Sequence, residues 1–126
     1  MEYAIGTRGS STVIPEEWAR LITKAREFPE PARMWFLRTV SAFNYSAAQQ
    51  MASALDPALA TPRVAVGSTD GCRAMLVRWL GSPELSSEEK VAVAAAWRLM
   101  DRSGISEAED NPALPIGVRM LLRGSR

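Results

Sequence analysis

The stretch Ser86-Ser87-Glu88-Glu89-Lys90-Val91-Ala92-Val93-Ala94-Ala95-Ala96-Trp97-Arg98-Leu99-Met100-Asp101-Arg102-Ser103-Gly104 decides how this chain is read. A serine followed three residues later by a glutamate, just ahead of an apolar run, is the capping box that opens helices. Each side chain satisfies a backbone N–H at the other end of the first turn. Beyond it, Val93, Ala96, Trp97 and Met100 recur at the three- and four-residue steps of one helical face. The spacing predicts a helix over about 87–103, ended by Gly104. Its alanine run at 94–96 lets a neighbouring helix come close.

Upstream, Pro15 suits a first helical position, where no N–H partner is needed, and Glu16 and Glu17 then meet the positive end of the helix dipole. Trp18, Leu21, Ile22, Ala25 and Phe28 share a face, and Pro29 and Pro31 stop that helix. A second helix opening at Pro31 is apolar all round through Met34-Trp35-Phe36-Leu37, Val40 and Phe43, which is the pattern of a central helix. Asn44 is placed to cap a third, with Ala48, Met51, Ala52 and Leu55 as its buried stripe and Asp56-Pro57 as its end. A fourth runs from about Cys72, with Asp70 or Thr69 as cap, to Leu80, and Gly81 is set to close it in the left-handed conformation. Residues 57–71 form a central irregular loop with a possible short strand pair around Arg63-Val64-Ala65-Val66. Residues 105–113 read as an acidic loop, with at most one turn capped by Ser106, before a short helix from about Leu114 to Arg123.

The expected fold is therefore all-α: a compact irregular bundle of five to six helices. Composition agrees. Ala, Leu and Met number 36 while Val and Ile number 13, and unbranched side chains lose the least freedom in helices. At 126 residues the chain is the size of one domain, read as a flexible lead-in over 1–13 and a helical domain over 14–126. An Arg-x4-Arg frame links Arg33 and Arg38 to Arg73 and Arg78 at solenoid-like spacing, but the flanking sequence does not repeat.

Composition also limits function. There is no histidine, so imidazole catalysis and ligation are excluded, and one cysteine excludes a disulfide or a multi-thiolate metal site. A net charge of +1 argues against an overall electrostatic grip on nucleic acid or acidic membranes. No run approaches the ~20 apolar residues of a membrane span. Met1 to Gly6 do not have the form of a secretory signal, so the expectation is a cytoplasmic protein with no membrane contact. Thirteen of the fifteen basic residues are Arg, which together with nineteen alanines resembles GC-rich coding and suggests a bacterial or phage source.

Local candidates carry little chemistry. Gly67-Ser68-Thr69-Asp70-Gly71-Cys72 would place backbone N–H groups and a thiol at a helix N-terminus, where anions are welcome and a thiol gains nucleophilicity. It lacks the Gly-Lys-Ser/Thr of a phosphate loop and has no base beside it, and a lone Cys opening an apolar stripe is ordinarily core. The acidic run from Asp101 to Asp110 fails the calcium-loop spacing, since glycine falls at its fourth position and Pro112 at its twelfth. It loosely resembles the Asp-Gly-x-Ile-Ser-x-x-Glu turn of tellurite-resistance-type helical domains, lacking the residue between Gly104 and Ile105. That resemblance covers ten residues and assigns no family. Glu16/Glu17 and Glu88/Glu89 are neighbours in first turns, point about 100° apart on a helix, and do not converge for acid–base work.

Two readings follow. In the first, the chain is a non-enzymatic helical interaction module or accessory subunit, without cofactor or metal, that binds a protein partner or itself through an apolar helix face. Met34, Trp35 and Phe36 are its candidate interface residues. In the alternative, it is a small subunit of a nucleoprotein assembly contacting phosphates through Arg33, Arg38, Arg73, Arg78, Arg119 and Arg123. Charge is uneven along the chain. Residues 81–111 carry seven acidic and three basic groups, and residues 112–126 carry three basic and none acidic, which suits head-to-tail association.

Overall fold

A computed structural model of the chain describes residues 15–56, 58, 60–64 and 68–124, with 15–18 and 21 described by backbone alone. The expected lead-in over 1–13 lies outside these residues, as do the side chains of Glu16, Glu17 and Trp18. The described residues form seven helices and no strand: α1 Pro15–Glu27, α2 Glu30–Phe43, α3 Tyr45–Leu55, α4 Thr69–Leu80, α5 Ser87–Met100, α6 Arg102–Glu109 and α7 Ile116–Gly124. The all-α bundle expected from the sequence is present, with one helix more than the upper expectation. Of the possible strand pair, Arg63 and Val64 are not in a strand, and residues 65–67 lie outside the described part.

Most helix starts follow local chemistry. The Ser86/Glu89 capping box forms in both directions, at 3.1 Å from Glu89 N–H to Ser86 Oγ and 2.7 Å from Ser86 N–H to Glu89 Oε1. Asn44 caps α3 by accepting the Ala47 N–H. Other boundaries need correction. The second helix begins at Glu30, one residue before Pro31, because Pro31 is equally at home at its second position. The fourth begins at Thr69, capped by Ser68 rather than by Asp70 or Thr69, so most of the expected glycine-bearing loop is already its first turn. Gly81 ends α4 with φ −92°, not in the left-handed region.

The largest correction concerns residues 101–113. The helix from Ser87 stops at Met100, and Asp101 both ends it and caps α6, accepting the Gly104 N–H. What the sequence presents as an acidic loop is an eight-residue helix with Gly104 inside its first turn and Ile105, Ala108 and Glu109 buried. Ser106 is exposed and caps nothing.

Helix α5 is the axis of the molecule, and its residues from Ala92 to Trp97 are all buried. Ala92, Ala95, Ala96 and Leu99 belong to a core shared with α1, α2 and α3, where Phe36, Leu37 and Val40 are fully buried. Val93, Ala94 and Trp97 belong to a second core with α4, α6 and α7, around Leu76, Ile105 and Leu122. The small side chains let α2 lie along α5, the most extensive helix pairing in the fold. An α2 that is apolar all round is thus central, as its pattern requires.

Candidate interaction site

The polar centre of the molecule is structural. Asp101 accepts Arg73 Nε at 2.7 Å and Arg73 Nη2 at 2.9 Å, and its Oδ2 also accepts the Trp97 indole N–H at 3.2 Å. One carboxylate thus joins the start of α4 to the corner between α5 and α6. Burial alone would raise its pKa. The Arg73 hydrogen bonds, the Trp97 bond, the Arg73 charge and the Gly104 N–H outweigh burial and hold it below the ordinary value. Gly104 is required here, because a Cβ at that position would fall 2.0 Å from Asp101 Oδ2 and 2.5 Å from Arg73 Nε.

Cys72 lies beside this cluster, buried and unpaired. Burial first, then the Asp101 charge, push its thiol up to about 11, against a smaller downward pull from Arg73. A thiol so placed is a core group rather than a nucleophile. Among the described residues no three acidic or cysteine side chains converge as metal ligands. No helix among them is long and apolar enough to cross a membrane.

The residues singled out as an interface do not form a surface patch. Phe36 is completely buried, with its ring 5.8 Å from that of Phe28. Met34 is half-buried against the α1–α3 core. Trp35 is half-buried, edge-on to Trp79 at 5.0 Å and covered by the Arg38 guanidinium at 4.6 Å. The physical reason is the centrality of α2, whose wide apolar surface is consumed by α3, α4 and α5 together.

The six arginines are largely committed as well. Arg33 donates to the carbonyls of Ala25, Arg26 and Phe28 and so caps the end of α1. Arg73 is held by Asp101, and Arg123 donates to the Glu109 carbonyl at 3.2 Å. Arg38 rests on Trp35, Arg78 is exposed, and Arg119 is half-buried with an Nε that has no partner among the described residues. Sequence reading did not single out Arg98, which pairs with buried Glu109 and donates to the Leu122 carbonyl at 2.9 Å, tying α5, α6 and α7 together.

Two of the three large apolar side chains exposed among the described residues are on α7. Val118 and Leu122 face the core, whereas Ile116 and Met120 are 58% and 62% exposed. They stand four residues apart, one above the other on the outer side. The helix is amphipathic, with Arg119 and Arg123 on its flank, but two of its large apolar side chains stand on the outer side rather than in the core. The clue in the sequence was the presence of Ile116, Val118, Met120, Leu121 and Leu122 within seven residues, more than one face of a short helix can bury. The chain matches no family model, no curated protein and no solved structure.

Proposed function

We propose that this chain is a non-enzymatic helical interaction module whose binding surface is the outer face of α7. One observation carries the reading: Ile116 and Met120 stand more than half exposed on a helix whose opposite face is core. Large apolar side chains clustered in water mark places where another surface belongs. The burial of Cys72 and the lack of histidine support a binding rather than a catalytic role.

A photo-crosslinking amino acid at position 120, with one at exposed Gln49 on α3 as control, tests this in the cells that make the protein. Adducts at 120 and none at 49 are expected. Equal labelling at both positions, or none, overturns the reading.

The nucleoprotein alternative retains one specific feature, the Trp35–Trp79 pair with Arg38 over Trp35 and exposed Arg78 next to Trp79 in the sequence of α4. Aromatic faces beside arginines suit stacked bases and phosphates. Salt-sensitive binding of single-stranded oligonucleotide, abolished by Arg38→Glu with Arg78→Glu, would favour it over the α7 reading.

A further inference from the structure

Three large apolar side chains stand exposed among the described residues: Val91, Ile116 and Met120. Two are on α7. The third, Val91 on α5, lines a groove of about 320 Å³ between the end of α1 and the start of α5. Phe28 and Pro29 continue its apolar lining, and half-buried Phe28 leads inward to Phe36. Glu27, Glu88, Lys24 and Ser87 complete its wall, all four exposed, leaving the groove net negative.

Charge divides the same way. Residues 112–126 hold three arginines and no acid. Arg123 borders the outer face of α7 and is 47% exposed; its Nη2 donates to the Glu109 carbonyl at 3.2 Å, and the exposed Asp110 carboxylate lies 3.9 Å away, too far for a strong pair. A basic-edged apolar ridge and an acidic-edged apolar groove are complementary in both respects.

Resting on the α7 reading above, we infer that its partner is a second copy of this chain: α7 of one molecule seats Ile116 and Met120 in the α1–α5 groove of the next, with Arg123 facing Glu27 and Glu88. The ridge and the groove share no residue, so one molecule engages both at once. The contact is therefore head-to-tail: it closes as a dimer where two molecules fill each other's grooves, and otherwise continues into a ring or a filament. Symmetric pairing of two α7 helices would leave Val91 and its groove uncovered.

The purified full-length chain is measured by light scattering over a wide concentration range, at low and high salt. Mass is expected to rise with concentration to a dimer or beyond, and less so at high salt. Met120→Glu spoils the ridge and Val91→Glu spoils the groove, so each variant alone is expected to be monomeric. Both positions are exposed, and circular dichroism checks that both variants fold. Mixed in equal amounts, the two variants are expected to form a one-to-one dimer and nothing larger, because one intact ridge meets one intact groove. Should either variant misfold, Glu88→Arg and Arg123→Glu replace them, each weakening association alone and restoring it when mixed. A wild-type chain monomeric at every concentration, or a variant mixture that stays monomeric, overturns the inference. If position 120 nevertheless crosslinks to a different protein in cells, the α7 reading survives without self-association. If it crosslinks to nothing, both fail.

Discussion

Asp101 holds Arg73 through two parallel hydrogen bonds, Nε to Oδ2 at 2.7 Å and Nη2 to Oδ1 at 2.9 Å, across 28 residues of sequence. Asp101 also ends α5 through its backbone N–H, while its carboxylate caps α6 and accepts from Trp97, so one residue fixes where three helices meet. Replacing it with Asn is expected to cost about 2–3 kcal/mol in urea unfolding, because a partly buried guanidinium loses its counter-charge. A double-mutant cycle with Arg73→Met should return a coupling of about 1–2 kcal/mol. The pH dependence follows from the sign of the shift. The folded carboxyl titrates below its ordinary value of 3.8, so its contribution is complete above that value. It is lost as pH falls through the unfolded value towards the lower folded one. The stability gap between wild type and Asp101→Asn should therefore be constant above about pH 5 and shrink below about pH 4.

Two glycines in helices should respond in opposite directions to alanine. At Gly104 the new methyl falls on Asp101 Oδ2 and Arg73 Nε, so Gly104→Ala is expected to destabilise by about 2 kcal/mol despite alanine's better helix propensity. At Gly117 nothing lies within 4 Å, so Gly117→Ala is expected to stabilise by about 0.5–1 kcal/mol. Thermal or urea unfolding in dilute solution checks both.

Glu109 is almost wholly buried and faces Arg98, itself bound to the Leu122 carbonyl. Glu109→Ala leaves that cation without its counter-charge and should cost about 3 kcal/mol, with α7 loosened first. Replacing both residues by Met and Leu should cost less than the single change. Hydrogen exchange of the α7 amides distinguishes the two variants.

Cys72 is 2% exposed and its thiol is pushed up to about 11, chiefly by burial. At pH 8 the folded protein should resist a thiol reagent, then react at the rate of a free cysteine once urea unfolds it. Rapid labelling of the native state would contradict the core assignment.

The legible parts of this molecule were those governed by short-range rules. The Ser86/Glu89 box, the Asn44 cap and the proline-bounded start of α1 each depend on groups three or four residues apart, so their geometry is written in adjacent letters. Cys72 as a core residue was legible from its place on an apolar stripe. The helix over Arg102–Glu109 was not. Its polar sequence and Gly104 argue for a loop, and it is held by Arg73, far away in the chain, acting through Asp101. The choice of interface was not legible either. Met34, Trp35 and Phe36 and the α7 pair Ile116 and Met120 are equally apolar as text. Which set meets water depends on how many neighbours each helix acquires: α2 is enclosed by α3, α4 and α5, while α7 lies on the second core by one face alone. Helical period and capping are local hydrogen-bond chemistry, whereas exposure is a sum over contacts between residues distant in sequence, and only the packed chain sets that sum.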